Sequence, residues 1–118
     1  MFKSASILPV VAEFFRLEEQ MLALKIVYGM SREITERVSY LRHECPHQCQ
    51  PAKRVALRCF AELVLGTIEK LIAPKLKDNG SEYECSEEEK MFIKRLKLIR
   101  ADIHAQLASV ECDIGGDQ

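Results

Sequence analysis

The sequence predicts an all-α protein, a small bundle of three to four helices, and two observations carry this prediction. Apolar residues recur at spacings of three and four along every long segment, which is the period of an amphipathic helix. No segment alternates apolar and polar residues as a half-buried strand does. The chain has 118 residues, 47% hydrophobic and 30% charged, which suits one folded domain. We therefore expect a single helical domain with more than about 60% helix.

The first helix is predicted over residues 7–28. Gly29 can supply a left-handed cap at its end, and Ser31 can cap a second helix over residues 31–44. Alternatively, Gly29 is only a kink in one long helix that reaches about residue 44. The apolar positions of the first segment are Leu8, Val10, Val11, Phe14, Phe15, Leu17, Met21, Leu22, Leu24 and Ile26, and those of the second are Ile34, Val38 and Leu41.

Two prolines, Pro46 and Pro51, bracket a connection, because proline disfavours helix in the residue before it and fits a first helical turn. A helix over residues 51–73 follows, and Pro74 ends it. Gly66, isolated within it, is expected to permit close helix packing. The predicted apolar face of this helix comprises Val55, Cys59, Phe60, Leu63, Val64, Ile68, Leu71 and Ile72.

The segment from Lys75 to Cys85 contains the turn sequence DNGS and is predicted to be a loop. Ser86 and Glu89 then form a capping box, which opens a helix over residues 87–110. Its apolar face is predicted to contain Phe92, Leu96, Ile99, Ile103, Leu107 and Val110. The tail, residues 112–118, is expected to fray.

Composition points to a cytoplasmic protein that binds neither membrane nor nucleic acid. The 17 basic and 18 acidic side chains nearly cancel, so the chain has no overall field for anionic polymers. No apolar stretch approaches the roughly 18 to 20 residues that span a bilayer. Glu13 interrupts the apolar run at the start, and no cleavage-site pattern follows it. Five cysteines, an odd number, favour reduced thiols over a disulfide framework.

The stretch HECPHQC raises the question of a metal site. The candidate ligands are His43, Cys45, His47 and Cys49, and Cys59 could complete a composite site. The two pairs interleave within one short segment, however, and Pro46 restricts the folding of that segment around an ion. A cysteine nucleophile beside His43 or His47 has no accompanying sign of a substrate pocket. We therefore predict a helix connection with no metal, no cofactor and no catalytic role.

A basic cluster of Lys53, Arg54 and Arg58 near the start of the third predicted helix could contact nucleic acid. It lacks interleaved aromatic residues and a helix-turn-helix pattern, so a solvated or ion-paired face is the preferred interpretation. The alternative function, a small zinc- or nucleic-acid-binding helical module, would use this cluster together with HECPHQC.

The first helix carries more apolar residues than one core-facing stripe of roughly 100 degrees requires. A chain of this length buries a limited core, so part of that surface is expected to contact another protein or a second copy. The alternative is that the first helix is central in the bundle and its apolar residues are all core. We therefore predict a non-enzymatic regulatory or adaptor protein, a homodimer that acts as an inhibitor or anti-activator by stoichiometric binding. The predicted partner-binding residues are Phe14, Phe15, Leu17, Met21 and Leu22.

Overall fold

The computed structural model is all-helical and describes the backbone of residues 2–75 and 86–116 and the side chains of residues 17–74 and 86–111. Its three α-helices are α1 (Phe2–His43), α2 (Gln50–Ile72) and α3 (Glu87–Gly116), with short 3-10 turns at His47–Cys49 and Ala73–Lys75. No strand occurs in these ranges. The predicted loop between residues 75 and 85 falls almost entirely outside them.

The first two predicted helices are one continuous helix, so their separation at Gly29 was wrong and the alternative of a single long helix is the observed one. The buried positions of this segment are Gln20, Val27, Ser31, Ile34, Val38 and Leu41. Their spacing of seven, four and three keeps one face towards the core across Gly29, and a break there would lose that register. A glycine inside a helix lowers stability by only about 1 kcal/mol. Burial of the apolar side chains on this face stabilises the continuous helix by more than that. Ser31 is therefore a buried mid-helix residue and not a cap.

Two backbone hydrogen bonds to one carbonyl close the C-terminal end of α1, where the connection to α2 begins. The amides of Glu44 and Cys45 both donate to the carbonyl of Tyr40, at 2.9 and 2.8 Å. Pro46 then adopts an extended conformation, with φ −58° and ψ 142°, and Pro51 lies in the first turn of α2. Proline therefore separates the helices as predicted, and α2 lies within one residue of its predicted bounds.

The capping box at the start of α3 is confirmed. The Glu89 amide donates to Ser86 Oγ at 3.2 Å, and the Ser86 amide donates to Glu89 Oε1 at 3.4 Å. The prediction that α3 ends at residue 110 was wrong, because the helix continues to Gly116.

The core lies between the three helices. The face of α2 is rotated from the predicted one, since Leu57 and Ala61 are buried whereas Val55, Cys59 and Leu63 are exposed. The Gly66 interpretation was also wrong, because Gly66 is exposed and no atom lies within 4 Å of a Cβ built there. The buried apolar residues are Val27, Ile34, Val38, Leu41, Leu57, Ala61, Val64, Ile68, Ile72, Phe92, Ile93, Leu96, Ile103 and Val110.

Side-chain contacts fix the directions of the helices. Gln50 Nε2 donates to the Leu41 carbonyl at 3.2 Å, so α2 runs back along α1. Arg54 Nη1, near the start of α2, donates at 2.7 Å to the carbonyl of Val110, which lies near the C-terminal end of α3. The helices α1 and α3 are therefore parallel, and both are antiparallel to α2. Arg100 and Glu69 form a second contact between α2 and α3.

The molecule is elongated because α1 outreaches its neighbours. Its 42 residues extend about 63 Å, against about 35 Å for the 23 residues of α2. The longest dimension is 67 Å and the radius of gyration is 19.0 Å, compared with about 13.5 Å for a compact domain of this length. The accessible surface of 8509 Å² likewise exceeds the roughly 6500 Å² of a compact monomer of this mass. The N-terminal third of α1 therefore extends past the end of α2.

Candidate protein-binding interface

Four large apolar side chains of α1 are exposed within eight residues. Met21 is 63% exposed, Leu22 59%, Ile26 53% and Tyr28 58%. We call these four residues the α1 surface. At 100 degrees per residue, Met21 and Tyr28 lie on the flank of α1 that faces α3, whereas Leu22 and Ile26 lie about 100 to 160 degrees around the helix, towards its other flank.

Three of the five predicted partner-binding residues can be placed relative to this surface. Met21 and Leu22 belong to it, whereas Leu17 is half-buried. Phe14 and Phe15 lie in the backbone helix of α1, but their side chains fall outside the described part of the chain. The partner-binding role of all five residues stays a prediction. The sequence pattern did not single out Ile26 and Tyr28, because exposure depends on where α2 and α3 pack.

A groove of about 530 Å³ lies between α1 and α3, next to the α1 surface. Lys25 and Arg95 are exposed at its rim, and neither forms a hydrogen bond or ion pair with any described residue. The groove therefore combines apolar walls with two cationic groups that are available to a partner. Its lining residues are Met21, Leu24, Lys25, Tyr28, Arg95, Leu98 and Ile99.

The HECPHQC stretch is a helix connection. Cys45 is half-buried against the core, and its Sγ lies 3.6 Å from the Pro46 carbonyl oxygen. His43, His47 and Cys49 are exposed. Among the described residues, no group of three or more His, Cys, Asp and Glu side chains could hold a metal ion. Cys59 is also exposed, on the outer side of α2.

Tyr40, which is 37% exposed, lies where α1 ends. Partial burial raises the pKa of its phenol, and the neighbouring Cys45, Cys49 and Glu44 act in the same direction. The ring is held where α1 ends, and its own carbonyl accepts the two amides that close the helix. These interactions hold the end of α1 at its connection to α2.

The basic cluster on α2 is largely engaged within the chain. Arg58 pairs with Glu111, and Arg54 donates both to the Val110 carbonyl and to Gln50 Oε1, the latter at 2.9 Å. Because Gln50 also donates to the Leu41 carbonyl, this set of contacts joins all three helices. The sequence pattern identified the cluster but not its structural role, because the acceptor on α3 is a backbone carbonyl 56 residues away.

Comparison with known proteins places the chain in a family. Over 76 residues it is 62% identical to a protein of Escherichia coli (strain K12) named "Uncharacterized protein YffM". The match covers 63% of this chain and 94% of that protein. The chain belongs to the YffM family. No family model and no solved structure matches it. The relative's name states no activity.

Within the part of the chain that the structure describes, none of the helices is long and apolar enough to cross a membrane.

Proposed function

We propose that this member of the YffM family is a non-enzymatic regulatory or adaptor protein that binds another protein stoichiometrically through the α1 surface. The observation that carries the proposal is the exposure of Met21 and Tyr28 on the wall of the groove between α1 and α3, which the exposed Leu98 also lines. Single exposed apolar residues are common on proteins and need no explanation. Several exposed apolar side chains that line one groove are typical of a protein-interaction site.

The side chains of this patch suit a docking surface. Met21 is flexible and polarizable and can adapt to a partner's shape, and Tyr28 offers a rigid ring with a polar end. Aromatic residues in particular dominate binding energy when a partner desolvates them. A groove between two helices accepts the apolar face of a third helix.

Charge favours one kind of partner. The free cationic groups of Lys25 and Arg95 flank the groove, so an amphipathic helix with acidic residues beside its apolar face would satisfy them. A protein that covers such a helix on a transcription factor or an enzyme would act as an inhibitor or anti-activator. A cytoplasmic location is part of the proposal, because the odd number of cysteines favours a reducing compartment.

The test compares two matched variants in the native cell. Leu22→Glu introduces a charge in the α1 surface, and Leu63→Glu introduces the same charge on α2, where Leu63 is 72% exposed. Tagged wild type and both variants are crosslinked in cells, captured and quantified by mass spectrometry. We expect one or a few partners in near-stoichiometric amounts with wild type and Leu63→Glu, reduced at least about tenfold with Leu22→Glu.

Circular dichroism melts accompany the capture, because both exposed sites should tolerate a charge without loss of helix. Equal recovery of every captured protein with Leu22→Glu and with wild type would contradict the proposed interface. If purified wild type converted a small molecule to a product without a protein partner, the proposed non-enzymatic function would be contradicted.

A further inference from the structure

The groove between α1 and α3 has the size and lining of a site for a small amphiphilic molecule. Its volume of about 530 Å³ lies within the range of small-molecule sites, roughly 300 to 1,000 Å³. Leu24 and Ile99 are half-buried and form its floor. The exposed side chains of Met21, Tyr28 and Leu98 line its sides. Five of its described lining residues therefore offer apolar or aromatic surface.

The charged side chains among the described lining residues are two cations from opposite helices. Lys25 lies on α1 and Arg95 on α3, both are exposed, and neither forms a hydrogen bond or ion pair with any described residue. Like charges at one groove repel each other, whereas an anionic group bound beside them is attracted by both. The phenol of Tyr28 adds a hydrogen-bond donor to the lining. The groove therefore favours a ligand with one anionic end.

We propose that this groove binds the anion of a medium-chain fatty acid, with its carboxylate at Lys25 and Arg95 and its alkyl chain against Leu24 and Ile99. The inference goes beyond the proposed function, because it assigns a small-molecule ligand to the chain and requires no protein partner. The ligand and a partner's helix would occupy the same groove, so each would exclude the other.

The lining selects an alkyl chain over a polar body. Among the described lining residues, Tyr28 is the one uncharged side chain with a hydrogen-bonding group. A sugar or a nucleotide bound in the groove would therefore leave its own hydroxyl and amide groups without partners, which weakens binding. An alkyl chain has no such groups, and a neutral alcohol with the same chain would leave both cations without an anion.

The length of the groove sets the length of the alkyl chain. Its α1 lining runs from Met21 to Tyr28, which is about 10.5 Å along the helix. An extended alkyl chain advances about 1.3 Å per carbon, because its C–C bonds are about 1.5 Å long. About eight carbons therefore span the groove, and decanoate adds enough length for its carboxylate to reach the rim.

The test is an NMR titration of the ¹⁵N-labelled full chain with sodium decanoate at about 0.15 M salt, where charges more than about 8 Å apart are largely screened. We expect saturable shift changes centred on Leu24, Tyr28 and Ile99, with half-saturation at or below about 1 mM. Each buried CH₂ group should strengthen binding by about fourfold, so hexanoate should bind at least about tenfold more weakly. Decanol, which lacks the charge, should also bind at least about tenfold more weakly.

Charge reversal tests the two cations. Lys25→Glu and Arg95→Glu should each weaken decanoate binding at least about tenfold, because each sets a carboxylate against that of the ligand. Lys94→Glu is the matched control, since Lys94 is exposed next to Arg95 but does not line the groove. It should change binding by less than about threefold. Circular dichroism of each variant checks that its helices are intact.

The outcomes separate this inference from the proposed function. A decanoate titration that does not saturate, shift changes away from the groove, or equal binding of decanoate and decanol would overturn it. Equal weakening by Arg95→Glu and Lys94→Glu would overturn it as well, and so would binding to phosphatidylglycerol vesicles without binding of free decanoate. In each of these cases, a captured protein partner would still support the proposed function. Decanoate binding by a chain that captures no partner would support the fatty-acid site and contradict the proposed function.

Discussion

At the scale of single residues, burial and exposure on α2 decide which apolar side chains support the fold. Ile68 is fully buried, whereas Leu63, little more than one turn away on the same helix, is mostly exposed. Both are large aliphatic residues, and the sequence pattern assigned both to one face. Only the packing of α2 between α1 and α3 distinguishes them.

We expect Ile68→Ala to lower the free energy of unfolding by about 2 to 5 kcal/mol, because it removes buried methyl groups and leaves a cavity. Leu63→Ala, the matched exposed change, should alter it by no more than about 0.5 kcal/mol. Urea denaturation followed by circular dichroism measures both. Similar losses in the two variants would mean that α2 is rotated from its position in the structure.

Gln20 is the residue that sequence patterns could not assign to the core. It is buried, and within the described part of the chain its Nε2 has no hydrogen-bond partner. From sequence alone, a glutamine is expected at the surface. Gln20 is buried because it lies seven residues before Val27, on the same buried face of α1. Ser31 is buried for the same reason.

Gln20→Met keeps the length of the side chain and removes the unpaired donor. We expect it to raise the free energy of unfolding by about 1 kcal/mol, since an unsatisfied buried amide carries a desolvation cost. The thermal midpoint and urea midpoint should both increase. A clear decrease would show that the amide has a partner, and Gln20→Leu, which lacks the same donor, would then decrease the midpoints as well.

At the scale of elements, local sequence signals predicted the start of α3 and the connection between α1 and α2, but neither the continuity of α1 nor the end of α3. The Ser86 and Glu89 capping box and the proline-bracketed connection were both predicted, because each depends on residues close in sequence. The continuity of α1 through Gly29 was not, since it depends on burial of Ile34 and Val38 against the other two helices. Glycine is a common end of a helix but does not require one.

Arg54 joins the start of α2 to the end of α3 and, through Gln50, to the end of α1. Its guanidinium donates to the Val110 carbonyl and to Gln50, which in turn donates to the Leu41 carbonyl. Arg54→Met keeps the aliphatic stem and removes the donors, so we expect a loss of about 1 to 3 kcal/mol in unfolding free energy. Lys53→Met, an exposed neighbour, should be nearly neutral.

Hydrogen exchange locates the effect of Arg54→Met. The amides near the end of α1 and of α3 should exchange faster in this variant, whereas those around Ile93 and Leu96 should stay protected until global unfolding. A uniform loss of protection along all three helices would contradict a role for Arg54 at the helix ends.

At the scale of the whole molecule, the central feature is a long helix on a short bundle. The radius of gyration of 19.0 Å and the accessible area of 8509 Å² both describe a chain with more surface than a compact domain. The sequence predicted an excess of apolar side chains on the first helix, and Met21, Leu22 and Ile26 are exposed there, but it did not predict the elongated shape. It could not predict the groove with α3 or the exposure of Tyr28, because these depend on how parallel α1 and α3 meet.

Crosslinking and capture of wild type, Tyr28→Glu and Leu63→Glu from the native cell test the central claim, that the groove beside the α1 surface binds another protein, most directly. We predict near-stoichiometric recovery of a partner with wild type and with Leu63→Glu. We predict at least about tenfold lower recovery with Tyr28→Glu, because a charge on the wall of the groove opposes burial against an apolar partner by about 2 kcal/mol or more. Equal recovery with Tyr28→Glu and with wild type, when circular dichroism shows both to be equally helical, would contradict it.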